Sequence, residues 1–207
     1  MNKNTRLLAV AALGAGSMLA QSAFAAGSSD AEVAAAIQGS FKERGQAKLD
    51  RLEQTALQRE CSKYQGDGPP LEVADRIQRK ALAEVKYPAD GKFLGDWKKG
   101  EKVAQSGRGF QYNDKAGSVA GGNCYACHQL ADHEVSFGNI GPSLRHYGKL
   151  RGNTPEVQKY TWARLWNPHS FKACNQMPRF GEAGILTEEQ LKDVMALLLD
   201  PASPVNR

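Results

Sequence analysis

The chain has 207 residues, of which 41% are hydrophobic and 24% are charged, a balance typical of a folded domain with an appendage. Its 27 basic and 22 acidic residues give a net charge of +5, and the basic residues are scattered along the chain without a dense block. This pattern excludes a nucleic-acid-binding tail, so we expect an ordinary charged surface and no nucleic acid among the partners.

Residues 1–25 have the features of a secretory signal peptide. Lys3 and Arg6 form a positive start, an apolar run follows at 7–20, and the sequence AFA at 23–25 fits a cleavage site. The run contains glycine and serine and is shorter than the ~20 apolar residues of a membrane span, although an uncleaved anchor is the alternative. We expect cleavage, which removes two basic residues and lowers the net charge to +3, and an exported protein with no membrane span.

The residues after the signal are predicted to form two helices. Apolar residues recur at helical spacing over 30–60, which predicts one long amphipathic helix, while Gly39 and Gly45 argue against a free coiled coil. The sequence GDGPP at 66–70 is a break. A second helix is predicted over 71–86, and its apolar residues share one face: Ala74, Ile77, Ala81 and Val85.

The second half of the chain is predicted to be all-α. Capping signals predict helices over about 96–107, 154–167 and 187–199, and no segment has the alternation of a strand. In the last of these, Thr187 and Gln190 form a capping box. Met195 lies at helical spacing in the same helix, so we expect it to pack in the core.

The sequence CYACH at residues 124–128 is the attachment sequence for c-type haem. A two-residue spacer lets the thiols of Cys124 and Cys127 reach the two vinyl groups on one porphyrin edge, and His128 then binds iron as the proximal ligand. Zinc would need a second ligand pair, which this chain lacks. A thioredoxin-type pair would follow a strand, whereas a glycine-rich loop precedes this motif. We therefore expect one covalently bound haem c.

Met177 is the first candidate for the sixth iron ligand. Pro178 excludes a continuing helix and biases Met177 toward extended backbone, which suits a loop that crosses the open haem face. His146 and His169 are the alternatives, and His/His ligation would lower the reduction potential. The three tryptophans are expected to be core or helix contacts, with a wall of the haem crevice as the alternative: Trp97, Trp162 and Trp166.

Cys61 and Cys174 are the remaining cysteines. In an exported protein the default is that two such cysteines form a disulfide, which here would tie the first helical region to the loop carrying Met177. A reactive thiol that handles sulfur species is the alternative. Neither cysteine lies beside a marked cluster of cations that would lower its pKa, so we favour the disulfide.

Several sequence segments together resemble one family: GDWKKGEKVA, CYACH, GNIGPSL, MPRFG, ILTEEQLKDVMALLLDP and the final SPVN. They are similar to SoxX, the monohaem cytochrome subunit of the thiosulfate-oxidising SoxAX complex of the bacterial periplasm. The resemblance covers about 91–207 and implies a class I cytochrome c-like haem domain there, preceded by a helical N-terminal extension over 26–90. It also implies His/Met ligation of the iron by His128 and Met177, and a hydrogen bond from His128 to the carbonyl of Pro142.

The same resemblance implies a function and partners. The chain would be a non-catalytic electron-transfer subunit in a heterodimer with a SoxA-like haem subunit, and that partner would carry the catalytic haem. The complex resembles L-cysteine S-thiosulfotransferase, which conjugates thiosulfate to a cysteine of a SoxYZ-like carrier protein. Electrons would pass to a small soluble cytochrome c. The alternatives are a stand-alone periplasmic electron shuttle and a haem enzyme with an open distal site, such as a peroxidase.

Overall fold

The computed structural model describes residues 29–64, 66 and 68–207, and the chain divides into two units, Met1–Lys42 and Glu43–Arg207. The predicted signal peptide lies outside the described residues. In the described part, no helix is long and apolar enough to cross a membrane. Secondary structure there is helical apart from one isolated bridge between Arg44 and Ala47, which confirms the all-α prediction.

The described part of the first unit contains helix α1, Asp30–Ser40. Its N-cap is Ser29, whose hydroxyl accepts a hydrogen bond from the backbone N–H of Glu32 at 3.3 Å, while the Glu32 carboxylate accepts one from the Ser29 N–H at 2.7 Å. This reciprocal pair is a capping box. The backbone becomes extended at Phe41, where the helix ends. The prediction of a single helix over 30–60 is therefore wrong.

The second unit begins with short elements, and Gly45 near its start adopts a left-handed conformation with φ +52°. An added Cβ at Gly45 would overlap the Tyr112 carbonyl oxygen, so both the backbone angle and the close approach require glycine. A 3₁₀ turn, Leu49–Leu52, and helix α2, Ala56–Ser62, follow. The segment over 30–60 is thus divided between α1, this 3₁₀ turn and α2.

Helix α3, Leu71–Ala83, confirms the second helix predicted in this region. Ile77 and Ala81 are buried, and Ala74 and Val85 are half-buried, as expected for the apolar face. The helix packs against a 3₁₀ turn, Pro168–Ser170, that lies much later in the chain.

Helices α4, Trp97–Gln105, and α7, Glu188–Leu199, pack against each other at the centre of the core. Gly100 makes this possible, since an added Cβ would overlap the backbone carbonyl of Asp193. The predicted caps are present: the Asp96 side chain accepts from Lys98 N–H at 2.8 Å, and Thr187 forms its capping box with Gln190.

Helices α5, Tyr147–Arg151, and α6, Pro155–Trp166, pack on α7 and complete the core. The buried core includes Leu130, Trp162, Leu165, Phe180, Leu191, Val194, Met195, Leu197 and Leu199. Met195 is fully buried, as expected. Helices α4, α6 and α7 contribute residues to the lining of a cavity that also includes residues of the CYACH segment.

The buried Asn206 side chain ties the chain's last turn to two helices. Its Oδ1 accepts from the N–H groups of Gly148 and Lys149 at 2.8 and 3.2 Å, and its Nδ2 donates to the carbonyls of Leu198 and Asp200 at 3.0 Å each. These bonds satisfy backbone groups at the start of α5 and the end of α7 that would otherwise lack partners.

Candidate haem site

One apolar cavity, here called the central cavity, brings together residues from four distant parts of the chain. It is lined by Cys124, Cys127, His128 and Met177. Apolar side chains supply most of the remaining lining: Ala104, Leu130, Leu144, Leu165, Phe180 and Leu197. The fold therefore places both predicted attachment cysteines, the predicted proximal histidine and the predicted distal methionine around one space.

The two motif cysteines reach the central cavity from a single tight turn. Residues Cys124–Ala126 form a 3₁₀ turn that begins after Asn123, whose φ of +47° is left-handed. The N–H groups of Cys127 and His128 donate to the Cys124 carbonyl at 3.1 and 2.9 Å. Burial raises the pKa of the Cys124 thiol to about 12, so this surrounding suits a neutral sulfur, such as a thioether.

The imidazole of His128 has one nitrogen engaged and one left for another partner. Its Nδ1 lies 2.7 Å from the carbonyl oxygen of Pro142, the contact that the family resemblance implied. Because a carbonyl oxygen only accepts, Nδ1 carries the proton and Nε2 keeps the lone pair with which imidazole binds a metal. Such an outer hydrogen bond fixes the ring orientation and raises ligand basicity.

The loop carrying Pro142 is pressed against His128. The Gly141 N–H donates to the Cys127 carbonyl at 2.8 Å, and the Leu144 N–H donates to the Gln129 carbonyl at 2.8 Å. An added Cβ at Gly141 would overlap the imidazole ring, so only glycine fits there. Sequence reasoning missed this role of Gly141, and its position directly before Pro142 was the available signal.

Met177 lies in a loop, here called the strap, that comprises residues 174–181. The Met177 side chain is half-buried against the core and lines the central cavity. Its N–H donates to the Asn175 side-chain oxygen at 2.8 Å. Cys174, at the start of the strap, forms a disulfide with Cys61, with a Cα–Cα distance of 5.3 Å, so the predicted pairing is present.

The competing histidines lie elsewhere in the part of the chain that the structure describes. His169 is buried in the turn Pro168–Ser170, and its Nδ1 has no hydrogen-bond partner there. Burial, followed by the nearby Arg179, lowers the pKa of His169. His146 precedes α5 in a left-handed conformation, with its Nε2 3.9 Å from an Asp132 carboxylate oxygen. Neither lines the central cavity, whereas Met177 does.

The tryptophans are core or helix contacts, and none of the three is among the residues lining the central cavity. Trp162 is fully buried, and its Nε1 donates to the Lys86 carbonyl at 2.9 Å. Trp166 stacks on Trp162 and covers Gly181. Trp97 lies beside the charged groups of Lys98 and Arg207.

The residues around the central cavity fit a c-type haem. Two thiols, a free imidazole nitrogen and a thioether face an otherwise apolar space, which suits a flat apolar ring attached through sulfur. Among the described residues, no three His, Cys, Asp or Glu side chains cluster closely enough to hold a metal ion. One imidazole and one thioether suffice for haem iron, because the porphyrin supplies the other four ligands. The individual ligand roles stay predictions.

Comparison with known proteins agrees with this fit. The cytochrome c family model matches residues 99–200, a range that includes the CYACH segment, the strap and α7. A protein of Aquifex aeolicus (strain VF5), described as an uncharacterized lipoprotein, is 43% identical over 157 residues, which cover 74% of this chain and 73% of that protein. The matched segment is thus longer than the cytochrome c domain itself, and the likeness includes part of the chain outside it.

Proposed function

The chain carries a cytochrome c domain and belongs to one family with the Aquifex aeolicus protein, and on this premise we propose a periplasmic electron-transfer cytochrome with His/Met-ligated iron. The observation that carries the proposal is the convergence of Cys124, Cys127, His128 and Met177 on the central cavity. A cytochrome c domain itself indicates an electron-transfer haem protein of the all-α class I type.

Each ligand residue has a separate task in this proposal. Cys124 and Cys127 would hold the haem through thioether bonds, and His128 and Met177 would bind its iron. Haem iron supplies a one-electron redox couple. The Pro142 carbonyl keeps the proton on His128 Nδ1, so the Nε2 lone pair is held in one orientation.

The apolar lining has its own role in electron transfer. Leu130, Leu165 and Leu197 are buried around the central cavity and exclude water from it. A dry surrounding with fixed ligand residues would limit the rearrangement of those residues when a bound haem iron changes charge. The surrounding burial and hydrogen bonds also tune the reduction potential.

Replacing Met177 tests the axial ligation. In the full-length protein with haem attached, Met177→Ala is expected to convert a low-spin ferric spectrum to a high-spin one, because the sixth ligand is lost. Met195→Leu is the matched control, since Met195 is buried in the core away from the cavity lining and its spectrum should stay low-spin. A low-spin spectrum in Met177→Ala would remove Met177 from the site.

We place this cytochrome within a thiosulfate-oxidising complex, as the subunit through which electrons leave. The support is the sequence likeness to the SoxX family over 91–207, above all MPRFG followed by the DPASPVN ending. The proposed partners are a SoxA-like haem subunit, a SoxYZ-like carrier and a small soluble cytochrome c. Export rests on the signal-like sequence at residues 1–25.

Purification from thiosulfate-grown cells separates this role from a stand-alone shuttle. The expected result is co-purification with a second haem protein and haem reduction that depends on thiosulfate and the carrier. A monomer that purifies alone, with haem that thiosulfate and carrier leave oxidised, would assign the chain to the shuttle class. The ratio of haem to protein in the same fraction gives the number of haem groups in the purified complex.

A further inference from the structure

The strap separates two spaces in the molecule. Met177 lines the central cavity and also a second cavity on the other side of the strap. The second cavity is lined by both disulfide cysteines and by polar or charged side chains that include His169, Lys172 and Arg179. Since the strap has open space on that side, the position of Met177 depends strongly on how the strap is held at its two ends.

The downstream end of the strap is fixed by packing and backbone hydrogen bonds. Phe180 is buried, and its carbonyl accepts from the Leu186 N–H at 3.0 Å. The N–H groups of Gly181 and Glu182 donate to the Trp166 carbonyl at 3.2 and 3.1 Å. An added Cβ at Gly181 would overlap the Trp166 indole, so the strap lies directly on this ring.

The upstream end is held mainly by the cross-link. Cys174 has φ +54°, a left-handed conformation that is uncommon for a residue with a side chain, and its sulfur is bonded to Cys61. Without that bond, the nearest upstream fixed points are the buried Ala173 and Lys172, whose N–H donates to the Pro168 carbonyl at 3.3 Å. The free segment before Gly181 would then start one or two residues earlier.

Asn175 adds a local constraint next to the disulfide. Its side-chain oxygen accepts the Met177 N–H at 2.8 Å, which closes a turn of the kind that asparagine forms with the backbone two residues on. The cross-link and the turn together determine the direction in which the Met177 side chain leaves the strap.

We propose that the Cys61–Cys174 disulfide and Asn175 are positioning residues that hold the Met177 thioether at the sixth coordination position. This inference rests on the His/Met ligation proposed above. The longer free segment alone makes closure of the strap at most about 1.5-fold less favourable. Relaxation of the left-handed backbone at Cys174 adds to this loss, so the thioether is displaced more readily.

Imidazole binding to the ferric protein measures how firmly Met177 is held, because imidazole must displace the thioether. In the full chain with haem attached, the double variant Cys61→Ser/Cys174→Ser is expected to bind imidazole about two- to tenfold more tightly than wild type. Asn175→Ala should give a smaller change in the same direction. A second sample keeps the test valid if the double variant does not fold. It is wild-type protein in which the disulfide is reduced, both cysteines are alkylated and the iron is reoxidised. Its imidazole affinity should match that of the double variant.

Gln46→Ala is the matched control. The Gln46 side chain ties the N-terminal part of the second unit to the carbonyls of Gly109 and Gln111, outside the strap, at 3.1 and 2.8 Å. Its loss should leave imidazole affinity unchanged. If the double variant and the alkylated protein bind imidazole as wild type does, while their unfolding free energy falls, the disulfide is purely stabilising and the inference is overturned.

The Met177→Ala spectrum distinguishes the two possible failures. A high-spin Met177→Ala protein combined with wild-type imidazole binding in the disulfide variant overturns only the positioning role. A low-spin Met177→Ala protein overturns the His/Met ligation itself, and the positioning role falls with it.

Discussion

The two sides of the central cavity are held by different means. On the His128 side, the N–H groups of the loop with Pro142 donate to carbonyls of residues 125–129: Gly138 to Tyr125 at 2.9 Å, Gly141 to Cys127 and Leu144 to Gln129. On the Met177 side, the strap has a cross-link at one end and packed residues at the other. The imidazole is therefore held by backbone contacts around it, whereas the strap that carries Met177 is held mainly at its two ends.

Removing the cross-link is expected to have the largest effect on stability. The disulfide closes a loop with a sequence separation of 113 residues. In the chain-entropy model, its loss in Cys61→Ser/Cys174→Ser lowers the free energy of unfolding by about 4–5 kcal/mol. Denaturant unfolding of haem-loaded protein measures this, and an unchanged midpoint and slope would show that the distant cross-link contributes nothing.

A methyl group at Gly141 tests the opposite side. Gly141→Ala places a Cβ against the His128 ring, so either the imidazole or the loop has to move. We expect a loss of about 1–3 kcal/mol in unfolding free energy and a shift in reduction potential as the Pro142 hydrogen bond is strained. Gly39→Ala is the control, because nothing lies within 4 Å of its added Cβ. If Gly141→Ala keeps the wild-type reduction potential, the loop with Pro142 adjusts to the added methyl group without straining the hydrogen bond to His128.

The smallest expected effect is a pH dependence on the strap side. Burial lowers the pKa of His169, with Arg179 adding to it, so the folded chain binds this proton less readily than the unfolded chain. Protonation of His169 therefore destabilises the folded chain only below the ordinary histidine pKa of about 6.5. The free energy of unfolding falls as the pH drops through that value. His169→Gln should reduce the loss of unfolding free energy between neutral and mildly acidic pH.

The exposed His133 supplies the control for that measurement. His133→Gln should keep the pH dependence of the wild type. Equal pH dependence in His169→Gln and wild type would contradict the assignment to the buried histidine beside the strap.

Local signals predicted much of this molecule. The capping residues Asp96, Thr154 and Thr187 mark the starts of three helices where the structure has them. The CYACH spacing and the proline after Met177 identified the residues that meet at the central cavity. These features depend on neighbours within a few residues, so the sequence alone was enough to predict them.

The rest depends on contacts between distant residues. The helix predicted over 30–60 ends at Ser40, and the chain at Gly45 then approaches the distant Tyr112 carbonyl, a contact that no local pattern reveals. The role of Asn206 depends on α5 and the end of α7 meeting at the chain's last turn. The Pro142 contact was expected only from the family resemblance. Every residue has a backbone carbonyl, so residue type alone does not identify which carbonyl accepts the hydrogen bond.

Near-infrared magnetic circular dichroism of the ferric full-length protein tests the central claim most directly, because its charge-transfer bands distinguish His/Met from His/His ligation and from high-spin iron. The account predicts a low-spin His/Met signature from a haem that stays with the polypeptide in acidified acetone. A His/His or high-spin signature, or a haem that is extracted, would contradict it.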